Sequence, residues 1–200
     1  MNFLAHLLLA ESTPASRVGN LLPDLHRGRL PADLEPAVLA GVRRHRRVDA
    51  LTDAHPAFER SRARLRARHG RYSGILVDIF YDHVLARQWP EHHPDPLPRF
   101  IDAVHHDLLA YRGPLPPGVR GVLDIMVAQD WLGTNASLAG IELTLARLSA
   151  RLRSRFGRQV DLRPAVEDLR QAYGEFADDF SIFFPALRAC LDAPPPGLVT

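Results

Sequence analysis

Lysine does not occur in this chain; all 25 Lys+Arg positions are arginine. Cysteine occurs once, at Cys190, which excludes an internal disulfide framework and a cysteine-rich zinc site. No apolar run reaches eighteen residues, so no membrane span is implied. Neither GxxxxGK[ST] nor GxGxxG is present, so cradling of a nucleotide by a glycine loop is unsupported. No pair of β-branched runs flanks an Asn-Gly or Asp-Gly turn, and strand signals are weak throughout. The opening stretch Met1–Ala10 is apolar, but it has no basic leader and His6 interrupts it. It reads as a first helix and not as a signal peptide, with a cytoplasmic protein as the expectation.

What is present is helical periodicity in a 200-residue chain, enough for one domain with a sizeable core. The expected fold class is all-α. Helices are expected over 2–11, 16–27, from a cap at Asp33 to His55-Pro56, over 56–69, 72–88, 97–111, 119–132, 136–156 and 163–191, with Pro185 bending the last. Proline-rich segments at 90–98 and 113–118 read as loops. The domain is expected to span 1–192, followed by a loose tail at 193–200.

Titratable residues gather at helical spacing. His45, Asp49 and Asp53 recur every four residues and share a stripe. Asp78 and Asp82 share another, beside His83. Ile75, Leu76, Ile79, Phe80 and Leu85 surround that pair, so this helix reads as buried. Asp24 stands in an early turn. Burial of so many carboxylates calls for a compensating cation. Imidazole plus several carboxylates favours Mn²⁺, Fe²⁺ or Mg²⁺ over structural zinc, with a metal-bound water as the nucleophile. His6, alone in an apolar helix, reads by itself as a core histidine ahead of a ligand.

The charge is formally +2, yet the pI is about 9.1. An arginine-only chain is what a GC-rich genome produces, and it also supplies fixed-charge forks for phosphate or carboxylate. Arg60, Arg64 and Arg68 share one helical face, with Arg62 and Arg66 beside it. Such a face reads either as solvated or as a docking surface for an acidic partner. Arg43, Arg44, Arg46 and Arg47 flank His45, and Arg46 is placed to neutralise charge on a phosphate. His106-Asp107 is a literal His-Asp dipeptide after His105, with Asp102 as its one acidic companion at helical spacing; it is expected not to be a metal pair. His92-His93 falls in a loop. Asn135 opens a glycosylation sequon, to which no role is given.

The order Met1-Asn2-Phe3-Leu4-Ala5-His6-Leu7, Gly19-Asn20-Leu21-Leu22-Pro23-Asp24, Arg27-Gly28, Gly41-Val42 with His45-Arg46 and Asp49, Thr52-Asp53-Ala54-His55-Pro56, Asp78 with Asp82-His83, and Trp89 resembles the bacterial acyl carrier protein phosphodiesterases. The motifs cover about residues 1–90. Leu8 is a departure, where a second histidine is expected in many relatives. The resemblance implies a single-domain helical bundle of the divergent His-Asp (HD) phosphohydrolase type. It implies Mn²⁺, and cleavage of the phosphodiester that joins 4′-phosphopantetheine to a serine of holo-acyl carrier protein. It also implies a metal and catalytic set drawn from His6, Asp24, His45, Asp49, Asp53, Asp78, Asp82 and His83. No nucleic-acid or membrane partner is expected. Two other readings stay open here: an HD-type phosphohydrolase acting on a nucleotide or other small phosphoester, and a non-enzymatic helical module that binds an acidic protein.

Overall fold

Two helices touch here backbone to backbone. In the computed structural model, which describes residues 1–157 and 160–193, α2 (Pro14–Leu25) crosses α3 (Pro36–Ala54) at Gly19 and Gly41. A Cβ on Gly19 would lie 2.2 Å from the Val38 carbonyl oxygen, and one on Gly41 would lie 2.7 Å from that of Ser16. Glycine is required at both positions for close approach. This crossing fixes Asn20 and Asp24 of α2 relative to His45 of α3.

Before it comes α1 (Phe3–Leu8), shorter than the 2–11 expected. Pro14, which falls in the gap expected between helices 2–11 and 16–27, instead opens α2 at its first position, and Thr13 caps it by accepting the Ser16 N–H at 3.2 Å. Asp33 does not cap α3. Glu35 stands at the N-cap position, without a side-chain cap bond, because Pro36 at the first position forces its predecessor into extended backbone (ψ 143°). His55 ends α3, and its Nδ1 accepts the Ala57 N–H to begin α4 (Pro56–His69).

After a short turn, α5 (Ser73–Arg87) is apolar almost all round, with Leu76, Val77, Phe80, Tyr81, Val84 and Leu85 buried. It is the central helix of the bundle, although Ile75 is exposed. Next come α6 (Leu97–Ala110) and α7 (Val119–Ala128). The helix expected over 119–132 breaks at Asp130, whose φ is +43°, and resumes as α8 (Trp131–Thr134). Then follow α9 (Leu138–Phe156), α10 (Ala165–Gln171) and α11 (Tyr173–Asp192). The last expected helix is therefore two, divided at Ala172, while Pro185 lies inside α11 without ending it. No strand occurs among the described residues, and the helices share one core. Residues 194–200 of the expected tail lie outside the described residues.

The core is aromatic where α11 meets α4 and α5. Phe58, Tyr81, Phe176, Phe180, Phe183 and Phe184 are fully buried there, in mostly edge-on and tilted pairs. Arg60 and Arg64 reach from α4 to Asp179 of α11, which is 4% exposed; Ser61 Oγ donates to the same carboxylate at 2.9 Å and meets Tyr81 Oη at 3.0 Å. Arg68 and His69 bind Asp168 on α10. The three arginines do share a face, as their spacing indicates. That face is turned toward α10 and α11, and its charges are paired with acids of those helices while Arg60 and Arg68 stay half exposed.

Candidate metal centre

α1, α2 and α3 bring His6, Asp24, His45 and Asp49 together. The His6 and His45 rings stack, with centroids 3.9 Å apart and planes 16° from parallel. One carboxylate serves both: Asp49 Oδ1 lies 3.1 Å from His6 Nε2, and Asp49 Oδ2 lies 3.0 Å from His45 Nε2. Asp24 Oδ1 stands 3.9 Å from His45 Nε2. The histidines are buried, whereas the Asp24 and Asp49 side chains are 39% and 42% exposed. The centre therefore opens to solvent on its carboxylate side.

The tautomer of His45 is fixed from behind. Its Nδ1 lies 2.7 Å from the Asn20 carbonyl oxygen, which only accepts, so Nδ1 carries the hydrogen. In the neutral ring the Nε2 lone pair then faces Asp49, Asp24 and the opening. A histidine oriented through its other nitrogen in this way is the usual arrangement of a metal ligand. His6 Nε2 lies 3.1 Å from the Met1 carbonyl oxygen, and its Nδ1 is buried with no hydrogen-bond partner.

The charges are strongly coupled. Burial, with the N-terminal ammonium and His45 adding to it, lowers the His6 pKa to about 4. Burial also opposes charge on His45, but the Asp49 hydrogen bond and the Asp24 charge outweigh it and raise the pKa. Burial acts against the Asp49 carboxylate, and the bonds from His45 and His6 overcome it, holding Asp49 well below the ordinary range. Asp24 is pushed up by burial against the pull of His45. Two imidazoles and one carboxylate with mutually adjacent donor atoms, and a second carboxylate at the edge, fit a first-row divalent ion.

The remaining expected residues divide. Asp78 pairs at 3.0 Å with the Met1 amino group, which also lies 3.4 Å from Asp49 Oδ1, so Asp78 is joined to the centre through an ammonium. Asp53 is exposed, one turn beyond Asp49. Asp82 is fully committed elsewhere: it accepts the N–H groups of Leu4 at 2.9 Å and Ala5 at 3.1 Å, capping α1 from α5. His83 is not brought to the centre either. Successive helical residues point about 100° apart, and His83 Nδ1 lies 2.7 Å from the Asn135 carbonyl oxygen, with Tyr173 against its ring. Arg46 is exposed on α3, with no ion-pair partner among the described residues. Two contributors carry no side-chain signature: the Asn20 carbonyl and the Met1 amino group. His106 is exposed, Asp107 pairs with buried Arg17 at 2.9 Å, and neither adjoins the centre. Asn135 is buried, which closes its sequon to modification.

The acyl carrier protein phosphodiesterase family profile matches residues 1–187. This chain belongs to that family. Proteins named acyl carrier protein phosphodiesterase from Serratia proteamaculans and Yersinia enterocolitica are 35% and 32% identical to it, over 94% of this chain and 95% and 96% of theirs. One from Escherichia coli O157:H7 is 33% identical over 94% of this chain and 96% of its own. No solved structure matches the chain. No helix among the described residues is long and apolar enough to cross a membrane.

Proposed function

We propose that the chain is a metal-dependent phosphodiesterase that removes 4′-phosphopantetheine from holo-acyl carrier protein, on a helical frame of the divergent HD phosphohydrolase type. The observation that carries the reading is the pair of stacked imidazoles sharing Asp49 beneath an opening edged by Asp24. His6, His45 and Asp49 would hold the ion, Mn²⁺ in first place with Mg²⁺ or Fe²⁺ as alternatives, and Asp24 would complete the set. When bound, the ion supplies Lewis-acid charge and lowers the pKa of a coordinated water.

The chain's own part is orientation and charge. Asn20 holds His45 with Nε2 facing the opening. Buried His6 stays neutral and able to ligate. Arg46 lines the same hollow as Asp24 and would offset charge that develops on the phosphate oxygens. In the net reaction a water oxygen bonds to phosphorus, the bond from phosphorus to the serine oxygen breaks, and the water's proton ends on that oxygen. The products are apo-carrier and free phosphopantetheine.

Asp53, Asp78, Asp82 and His83 act around this centre and not as its ligands: Asp82 and Asp78 hold the segment that delivers His6. The acidic carrier is assigned to the exposed arginines Arg43 and Arg46 of α3, ahead of Arg60, Arg64 and Arg68, each of which already pairs with Asp179 or Asp168. The test is mass spectrometry of holo-acyl carrier protein incubated with the protein and Mn²⁺. Loss of the phosphopantetheine mass, stopped by chelator, is the expected result. An unchanged carrier, or cleavage indifferent to chelator, overturns the reading.

A further inference from the structure

Beside Asp24 the surface is hollowed into a cavity of about 450 Å³, bounded by the end of α2, the chain just after it, and α3. That volume lies in the range of small-molecule sites. Pro23 and Leu30 line it with carbon, and Arg27 and Arg46 line it with charge. The two arginines belong to different segments, 19 positions apart in sequence. Neither has an ion-pair partner or a side-chain hydrogen bond among the described residues, whereas Arg44, Arg47 and Arg120, which also lack an ion pair, are held by backbone carbonyls. Asp24 lines the same cavity and pairs with neither of them. Two guanidinium groups with no internal counterion therefore share one hollow, and that hollow meets the solvent-facing edge of the candidate metal centre.

The backbone supports this placement. Directly after Arg27 the chain passes through Gly28 at φ +115°, a conformation that side-chain-bearing residues rarely adopt. The turn keeps Arg27 and Leu30 on the wall of the same cavity. Arginine forks match phosphate oxygens two at a time, and two forks can grip a phosphodiester's non-bridging oxygens while its phosphorus faces the acids.

We propose that this cavity is the phosphate seat of the enzyme, with Arg27 and Arg46 as a two-armed clamp and Arg27 as a substrate-orienting residue. The proposal rests on the reading above that the substrate is a phosphodiester cleaved at the neighbouring centre. The ligand class is a phosphate ester, and Pro23 and Leu30 receive the first carbons of its alcohol.

The test uses Arg27→Ala, Arg27→Lys and Arg46→Ala in the full chain, with three readouts. Each alanine variant is expected to lower kcat/KM on holo-acyl carrier protein by roughly ten- to a hundred-fold, as loss of one charge-assisted fork does. Arg27→Lys is expected to recover only part of this, because an ammonium lacks the fork. Mn²⁺ affinity, by titration, should stay within about two-fold of wild type, since neither arginine is a ligand. Calorimetric binding of inorganic phosphate to the Mn²⁺-loaded protein should weaken at least ten-fold in Arg27→Ala. Alanine variants within two-fold of wild type in both kcat/KM and phosphate binding would overturn the clamp. If the wild type leaves the carrier intact, the substrate reading fails by itself, and phosphate binding with its dependence on Arg27 still decides the clamp.

Discussion

Two parts of this molecule each gather carboxylates and cations in their interior, and they do opposite things with them. Around Asp179 every demand is met: Arg60, Arg64 and Ser61 occupy the carboxylate, and Tyr81 closes the network behind Ser61. Around Asp49 the demands conflict. Two imidazoles face one acid, a third group stands at the rim, and one buried nitrogen has no partner. The first arrangement is a cross-link between α4 and α11. The second is an open group of donor atoms, proposed above as the seat of the ion. Charge in the interior thus signals a site where it is unsatisfied and open to solvent, and architecture where it is saturated and closed.

The largest expected effect of breaking this contrast lies at the open cluster. Asp49→Asn should lower release of phosphopantetheine by roughly a thousand-fold or more, about 4 kcal/mol of transition-state stabilisation. Its melting temperature should fall modestly at neutral pH, because the Asp49 carboxylate, held below the ordinary range by His45 and His6, contributes to the metal-free fold. A collapsed fold would instead mean that Asp49 is as architectural as Asp179. Gly19→Ala should affect both properties. The added methyl meets the Val38 carbonyl, so about 1–3 kcal/mol of stability should go, and up to roughly a hundred-fold in kcat as Asn20 moves off His45. Denaturant titration and turnover of the same sample check this pair.

At the closed cluster the pattern should invert. Asp179→Ala should cost about 2–4 kcal/mol in urea unfolding, with turnover per folded molecule unchanged. Reversal of Arg60 and Arg64 should likewise appear first as lost stability. The smallest effect belongs to Arg68→Ala, expected at about 1 kcal/mol or less, since the arginine is 57% exposed and His69 keeps hold of Asp168. A large loss of carrier turnover in this variant, without a loss of stability, would restore the Arg60–Arg68 face as a docking surface.

Much of the helical frame was legible in the sequence because apolar spacing reports it directly. The segment 56–69 agrees residue for residue with α4, and 97–111 differs from α6 by one. The breaks at Asp130 and Ala172 were not legible, since neither glycine nor proline marks them. Pro14 was legible as a boundary but not as a beginning. At the candidate site, His45 and Asp49 followed from four-residue spacing. The same spacing linked Asp78 and Asp82 correctly to one face, yet it does not say what that face meets: for Asp82 it meets two backbone amides. Adjacency in sequence placed His83 beside Asp82, where helical geometry turns it away. Arginine periodicity identified the α4 face but not the acids of α10 and α11, about 100 positions later. The Asn20 carbonyl was invisible, because any residue type carries one.

The bonds from Leu4 and Ala5 to Asp82 bear on the order in which this protein comes into being. A six-residue helix does not persist alone in water, and the groups that hold α1 lie 78 and 77 positions away. Contacts of such sequence separation close late, after their loop entropy has been overcome. A nascent chain thus carries His6 from the first moments of synthesis and lacks the Asp82 anchor of its helix until α5 has left the ribosome. Hydrolytic competence then waits on α5, and a chain still lacking that helix poses no hazard to the carriers around it.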